Sequence, residues 1–330
     1  RDLGAIGLMD TPRAAAEPAL ARLHALGILQ WGTDDQQNRW LPPLARGEQL
    51  GLFALTDEGA GSDPARMAST ARRDGDVYIV NGLKRWISLA GDADQMLWIA
   101  RTADGEPAHE HLSAFVIDAH APGVTAQIIA DKVGLRAMHT GTIRCEDVRV
   151  PAGDRLGEEG EGFKIAMACL DNGRYTVGAG AAGTIRTCLG LARGYALRRE
   201  SFGRPIARQQ LIQQKIAAIA GDYDIVRLLY AEVAALKNAG RRNTRQTSLL
   251  KWRATDSAFA AADATLQVFG AEGYTAAQPI ERIWRNARVG ALYEGTNEIH
   301  QLLQAGYALG ERTDATLRRE LPAYNALTWS

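Results

Sequence analysis

Residues 209–240, QQLIQQKIAAIAGDYDIVRLLYAEVAALKNAG, decide the fold. Within them Ile212, Ile216, Ile219, Tyr223, Val226, Tyr230 and Val233 are spaced alternately by four and three. Apolar side chains at that spacing fall along one face of an α-helix as a continuous seam. A long helix with such a seam needs other helices to cover it, so the stretch predicts a helix bundle. Gly240 tolerates the left-handed backbone of a C-terminal cap and marks the helix end. Downstream, residues 245–269 read as a second long, Ala-rich helix. Upstream, helical texture begins at Gly162 and continues to the end of the chain.

Before Gly162 the period changes. Seven short β-rich runs follow one another: LGLFALT (50–56), DVYIVNG (76–82), KRWIS (84–88), QMLWIAR (95–101), LSAFVID (112–118), GVTAQII (123–129) and TIRCEDVRV (142–150). Asp74-Gly75-Asp76, Asn81-Gly82, Asp104-Gly105 and Pro122-Gly123 punctuate them with turn signals. Runs this dense predict an antiparallel sandwich or barrel. Nearer the start, residues 14–30 read as a helix. Gly32 to Asp35 supply a stop and a new N-cap, and a short helix from Asp35 to Leu44 is expected to end at Pro42-Pro43. The fold class is therefore multi-domain α+β. A helical segment spans 1–49, a middle β domain 50–155 and a C-terminal four-helix bundle 156–330.

Composition excludes several classes. Of 330 residues, 46% are hydrophobic and 23% charged, as in an ordinary globular protein. Lys+Arg and Asp+Glu are 38 each, so the basic excess of a nucleic-acid binder is absent. Cys145, Cys169 and Cys188 are too dispersed for a disulfide framework or zinc ribbon, and a reducing compartment fits. No apolar run reaches the ~18 residues of a membrane span.

Several motifs have bland readings. Gly178-Ala179-Gly180-Ala181-Ala182-Gly183 matches GxGxxG, with Glu200 downstream, but no strand precedes it, so close helix packing is expected instead. His109 and His111 form an HxH pair in a polar loop without a third ligand. Asp34-Asp35 and Glu158-Glu159 read as solvated charges or helix-start acids, and His300 as a surface or interface residue. Two Gly-rich turns carry more. In Thr56-Asp57-Glu58-Gly59-Ala60-Gly61-Ser62-Asp63, two glycines free the backbone N–H groups and two hydroxyls flank them, which suits a flat polar ring edge or a phosphate. In Tyr293-Glu294-Gly295-Thr296-Asn297-Glu298, Glu294 suits a general base of raised pKa. Equally, Thr296 suits an N-cap with Glu298 in the first helical turn. From the residues alone both readings stand.

The order of the motifs adds a resemblance. Leu55 to Asp63 resembles the L-T-E-P-x-A-G-S-D signature of acyl-CoA dehydrogenases. Asn81 to Ser88 is similar to their N-G-x-K-x-W-I-T strand, and Lys132 to Arg136 to K-x-G-x-R. Asp147 to Pro151 is similar to the exit from their β domain. Arg199 to Ile206 resembles R-x-x-F-G-x-P-I, Gln267 to Tyr274 resembles Q-x-x-G-G-x-G-Y, and Tyr293 to Thr296 is their Y-E-G-T. Seven motifs in family order cover Gly32 to Leu309. The departures are Asp57-Glu58 for Glu-Pro, Ser88 for Thr, Ala271 for the second Gly and Phe53 for a frequent Tyr. Most of the family's N-terminal helical domain is lacking ahead of the matched motifs.

The resemblance implies FAD as the cofactor, held between β domain and bundle and completed by a neighbouring chain of a homodimer or homotetramer. By the same resemblance, Phe53, Leu55, Thr56, Gly61 and Ser62 line the flavin, Trp86 and Ile87 cover it, and Ser88 meets it near N5. Arg199 and Ser201 meet the pyrophosphate of a partner's flavin, with Phe202, Gln209 and Gln210 close by. Gln267, Gly270 and Ala271 approach the adenosine half, and Thr296 and Glu298 touch the flavin from the bundle. Asp171, Arg174, Tyr293, Gly295 and Ser62 border the acyl-CoA. Glu294 is the implied catalytic base, because the other base position known in the family falls on Gly173. The implied reaction is α,β-dehydrogenation of an acyl thioester to the trans-2-enoyl product. Electrons would pass to an electron-transfer flavoprotein, in the cytoplasm or, in a eukaryote, the mitochondrial matrix. The rival readings are a flavin oxidase or monooxygenase, a dehydrogenase of carrier-protein-bound acyl groups, and a flavin-less homologue.

Overall fold

The computed structural model describes residues 23–313; the expected helical residues 14–22 and the bundle's last residues lie outside them. Residues 23–31 are helical (α1) and lead into α2 (Asp34–Ala45). The start of α2 is set by a reciprocal cap. Gln36 N–H donates to Thr33 Oγ1 at 3.3 Å, and Thr33 N–H to Gln36 Oε1 at 2.9 Å. Pro42 and Pro43 lie inside its last turn rather than ending it. Only two backbone donors are lost there, and the chain leaves through Arg46 N–H to Pro42 O at 3.0 Å.

Eight strands follow: β1 (Gly51–Ala54), β2 (Thr70–Asp74), β3 (Val77–Ser88), β4 (Gln95–Arg101), β5 (Leu112–Asp118), β6 (Val124–Ile128), β7 (Thr140–Pro151) and β8 (Arg155–Leu156). They form one sheet in the order β6-β7-β3-β2-β4-β5-β8, with β1 beside β4. The expected antiparallel arrangement holds for β2–β3, β3–β7, β4–β5, β5–β8 and β6–β7, while β4 pairs parallel with both β1 and β2. The chain between β1 and β4 crosses over through residues 55–94, long enough to bring β4 back in the same direction. Two expected runs, 76–82 and 84–88, are one strand. Gly82 is a register shift inside β3, where any side chain would collide with Ser69. β2 escaped the sequence reading because its Arg72, Arg73 and Asp74 are all exposed, so no alternation shows.

The sheet curls. Met96 and Trp98 of β4 join Tyr78, Val80, Phe115, Ile117, Ile143 and Val148 in an inner core. Leu97 and Ile99, on the other face of β4, pack with Trp31, Trp40, Ile165 and Cys169. Each such large side chain stabilises the fold by roughly 1.5–3 kcal/mol through burial. This second core seats the β domain on the bundle, where Gly162 is pressed onto the Ser113 backbone.

The bundle comprises α3 (Gly162–Arg198), α4 (Gln210–Asn238), α5 (Thr244–Phe269), α6 (Pro279–Ala287) and α7 (Asn297–Ala308). The seam holds: Ile219, Val226 and Val233 are buried, and Ile212, Ile216, Tyr223 and Tyr230 pack at its edge. The helix closes at Gly240, whose φ is 63°. The GxGxxG run lies mid-helix in α3, where a β-carbon on Gly178 would sit 2.5 Å from Leu250 Cγ, so it serves close helix packing. A two-stranded ribbon, β9 (Glu200–Ser201) and β10 (Arg204–Pro205), tips the α3–α4 hairpin. Among the described residues no helix is long and apolar enough to cross a membrane, and no His, Cys, Asp and Glu cluster could hold a metal. His109 and His111 sit on a 3-10 turn, with His109 against Phe163.

Candidate active site

Between the sheet and the bundle lies a cavity of about 1450 Å³. Its β wall comes from three places. Phe53 and Leu52 are on β1, and Leu55, Thr56, Gly61 and Ser62 lie in the loop after it. Trp86, Ile87 and Ser88 end β3. The bulge that separates Arg85 from Ile87, with Trp86 at φ 62°, aims this strand end at the cavity. The third place is the loop after β6, where Lys132, Val133 and Met138 line the space. It is tied to α6, since Asn286 Oδ1 accepts from Leu135 N–H at 2.8 Å. The bundle wall brings Asp171, Gly173 and Arg174 of α3 against Tyr293, Glu294, Gly295 and Thr296.

The Gly-rich loop brings Thr56, Gly61 and Ser62 to the cavity, as expected. Asp57 does not face the cavity; it turns inward and is buried. It accepts from Ala68 N–H and Ser69 N–H, both at 2.7 Å, and pairs with the fully buried Lys84 Nζ at 2.6 Å. Burial holds Lys84 down at about 8 despite the Asp57 charge. Glu58 turns outward to Arg85. Asp57 is thus half of a buried ion pair that pins the loop, leaving Thr56 and Ser62 at the cavity.

Glu294 is the candidate chemical centre. Its backbone is left-handed at φ 57°. The Oε2 atom is buried with no hydrogen-bond partner among the described residues. Removal from water raises its pKa to about 7, with Asp171 adding to the rise and Arg174 and Lys251 opposing it. Its carbonyl accepts from Arg174 Nε at 3.0 Å and from His300 Nε2 at 3.1 Å. Arg174 also meets Asp171 Oδ1 at 3.0 Å, and Asp171 Oδ2 accepts from Thr244 at 2.7 Å. A side chain of tunable charge therefore faces a space able to hold a ligand, backed by fixed donors. The capping reading holds as well. Thr296 is the N-cap of α7 and accepts from Ile299 N–H at 3.4 Å, so one turn serves both purposes.

Not every expected residue reaches the cavity. Arg199, Ser201, Phe202, Gln209 and Gln210 lie at the α3–α4 hairpin, with the Phe202 ring almost wholly exposed. Gln267, Gly270 and Ala271 lie at the C-terminal end of α5 and in the turn after it, and none of them lines the cavity. The two groups share one end of the bundle, where Tyr195 stacks on Phe269 with ring centroids 4.1 Å apart. Glu298 points away from the cavity into solvent. Sequence reasoning missed Lys251 and misplaced His300. His300 is fully buried, bonded to Ser248 Oγ at 2.9 Å through Nδ1, and not a surface residue. Lys251 Nζ donates to Gly295 O at 2.7 Å and to Asn297 Oδ1 at 2.8 Å. The available signal was a polar stripe on α5: Ser248, Lys251 and Thr255 recur at helical spacing and all three are buried.

A cavity this size exceeds the ~300–1000 Å³ of a pocket for one small ligand. Its walls offer a hydroxyl-flanked loop, an exposed Trp86 ring and an unpartnered carboxylate. That set fits a flat ring system and a second, reacting ligand stacked beside it.

Comparison with known proteins agrees. A family model for the acyl-CoA dehydrogenase middle domain matches residues 52–148, and one for the acyl-CoA dehydrogenase C-terminal domain matches 160–308. The mitochondrial short-chain specific acyl-CoA dehydrogenase of Bos taurus is 39% identical over 282 residues, 86% of this chain and 68% of that protein. The butyryl-CoA dehydrogenase of Megasphaera elsdenii superposes with a TM-score of 0.86 at 35% identity, over 89% of this chain and 77% of that one. A glutaryl-CoA dehydrogenase of Mycobacterium smegmatis in complex with FADH2 gives 0.84 at 32% identity, over 92% and 76%.

Proposed function

The chain belongs to the acyl-CoA dehydrogenase family, oxidoreductases acting on CH–CH bonds, and from that premise we propose that it desaturates an acyl-CoA thioester between Cα and Cβ with FAD. The single observation that carries this reading is the Glu294 carboxylate, unpartnered at Oε2, held near pKa 7 and facing the cavity. Ionised, it takes the α-hydrogen as a proton. The β-hydrogen leaves with its electron pair, and the double bond forms between the two carbons. FAD, when bound, supplies the acceptor for that hydride.

The remaining roles fall to the chain. The Glu294 N–H is the proposed protein donor to the thioester oxygen as negative charge builds there. Asp171 and Arg174 fix the bundle side of the substrate, and Tyr293 and Gly295 border the thioester. Phe53, Leu55, Thr56, Gly61, Ser62, Trp86, Ile87, Ser88 and Thr296 hold the flavin ring. The apolar walls exclude water, which strengthens the pull of the base on the α-proton. Relatives named for short acyl chains support a short-chain substrate.

Arg199, Ser201, Phe202, Gln209, Gln210, Gln267, Gly270 and Ala271 serve the flavin of a second copy in this reading. The exposed apolar side chains Leu211, Ile225 and Leu228 on α4 support a homodimer or homotetramer. An electron-transfer flavoprotein is the proposed electron acceptor. A carboxylate at the reacting centre favours dehydrogenation over the oxidase, monooxygenase and flavin-less readings.

The test is direct. FAD-loaded protein is mixed without oxygen with a panel of straight and branched acyl-CoAs, and the flavin absorbance is followed. Bleaching, with the enoyl-CoA found by mass, is the expected result. A flavin that no acyl-CoA bleaches would overturn the reading.

A further inference from the structure

We infer that His300 is a positioning residue for Glu294, holding by its Nε2–H the carbonyl of a base whose backbone is left-handed. The inference rests on Glu294 being the base proposed above.

A side-chain-bearing residue at φ 57° persists only where its surroundings hold it there. Two donors converge on its carbonyl, Arg174 Nε and His300 Nε2, and a third, Lys251 Nζ, holds the next carbonyl, Gly295 O. The three pull the peptide towards α3, α5 and α7 and away from the cavity. The Glu294 side chain is left on the cavity side, against Gly173.

Among the three, His300 is the uncharged one, and its other ring nitrogen meets Ser248 of α5. Arg174 lines the cavity and pairs with Asp171, and Lys251 is shared with Asn297. His300 does not line the cavity, so it reaches the chemistry through the backbone of the Glu294–Gly295 turn. The partners fix its tautomer. A carbonyl can only accept, so Nε2 carries the proton, and Nδ1 accepts from the Ser248 hydroxyl at 2.9 Å. Burial beside Arg174 and Lys251 holds its pKa at about 3, so this neutral tautomer persists across the working range.

Besides burial, the groups that set the Glu294 charge are Arg174 and Asp171 from α3 and Lys251 from α5, while Cys169 and Tyr293 also face it and stay protonated. None is altered when His300 is replaced. A change in Glu294 titration in a His300 variant therefore reports movement of the carboxylate. Released from its carbonyl anchor, the turn relaxes, and the carboxylate leaves its dry site towards the ordinary value of 4.5.

The experiment uses FAD-loaded protein and butyryl-CoA, with flavin reduction followed in stopped flow from pH 5 to 9. His300→Leu is expected to slow reduction roughly 10- to 100-fold, as expected for a reacting group displaced by about 1 Å. Substrate affinity should change little, and the pH midpoint should fall below that of the parent. His300→Gln, whose amide can donate to the same carbonyl, should recover most of the rate and the midpoint. Ser248→Ala, which loosens the tautomer without removing the ring, should show a smaller loss in the same direction. If His300→Leu does not fold, the Gln and Ser248→Ala variants decide. A parent-like rate and midpoint in His300→Leu, or in Ser248→Ala where only that variant folds, would overturn the inference. So would a lowered melting temperature with an unmoved midpoint. Glu294→Gln is run alongside. If it stays active, the base assignment fails; if it is dead while His300→Leu is parent-like, only the positioning role fails.

Discussion

Gly173 lies directly against the Glu294 carboxylate: a β-carbon at residue 173 would fall 2.5 Å from Oε1 and 2.8 Å from Oε2. The space that Glu294 occupies exists because α3 carries no side chain there. Gly173→Ala must push the carboxylate aside, and that end of a flexible side chain can move without disturbing the fold. Helix propensity even favours the change by about 0.5–1 kcal/mol. The expected outcome is a variant as stable as the parent, or more so, whose flavin is reduced roughly 10- to 100-fold more slowly. Stopped-flow reduction and a thermal melt check both halves.

Glu294→Gln removes the proposed base while keeping its size. FAD content and melting temperature should stay near the parent values, and flavin reduction should fall by at least the 10²–10⁴-fold that a general base contributes. In the parent, the carboxylate must be ionised to act, so the rate should rise with pH through about 7. A Gln variant that bleaches within a few-fold of the parent rate would show that the base lies elsewhere.

Stability should carry the same signature. The folded pKa of Glu294 is raised from 4.5 to about 7. Between those values the folded state binds more protons than the unfolded state, so stability falls as pH rises through the window. Its full benefit is present below about 4.5 and lost above about 7. The loss is up to about 3 kcal/mol at 1.36 kcal/mol per pKa unit. Glu294→Gln does not titrate, so the variant should gain stability relative to the parent as pH goes from 5 to 8. Chemical denaturation of both proteins at the two pH values measures the difference directly.

Asp57→Asn leaves Lys84 buried without its counter-charge, and a broken buried pair costs about 3–5 kcal/mol. The amide also cannot accept from Ala68, Ser69 and Lys84 with both oxygens. A marked drop in the denaturation midpoint is expected, with FAD more easily lost because Thr56 adjoins the pair. An unchanged midpoint would show that the pair contributes nothing net.

The legible parts of this chain were those written in local periods. The α4 seam, the Gly240 stop and five of the eight strands follow from spacing and turn residues, because burial on one face imposes the period directly. β2 was hidden because Arg72, Arg73 and Asp74 all face water. β3 was split in two because Gly82 reads as a turn, while its role is close approach to Ser69. At the site, Glu294 was visible as a candidate from its motif. The opposing readings of that turn were reconciled by three dimensions: Thr296 caps α7 while Glu294 faces the cavity. Lys251 and His300 were illegible because their meaning lies in contacts between α5, α7 and the turn, which no local pattern encodes. The Asp57–Lys84 pair hides for the same reason, since 27 residues separate its members.

Arg199 gives the sharpest test of whether the site is shared between two copies. It is exposed at the tip of the bundle, beyond the last turn of α3 and remote from the cavity of its own chain. A structural reading makes it a solvated cation, whose loss changes stability by no more than about 0.5 kcal/mol. The shared-site reading makes it a ligand to the flavin pyrophosphate of a second copy, where a charge-assisted bond contributes about 1.5–3 kcal/mol. Arg199→Ala should then lose FAD roughly 10- to 100-fold more readily, at about 1.4 kcal/mol per tenfold. The sequence of events on dilution should also differ. On the shared-site reading, flavin release from the parent should track dissociation of the oligomer, because each site would need both chains. Sedimentation velocity read at the flavin absorbance reports both quantities in one run. Flavin that stays bound to a monomeric species, with Arg199→Ala binding FAD as tightly as the parent, would place the whole cofactor within one chain.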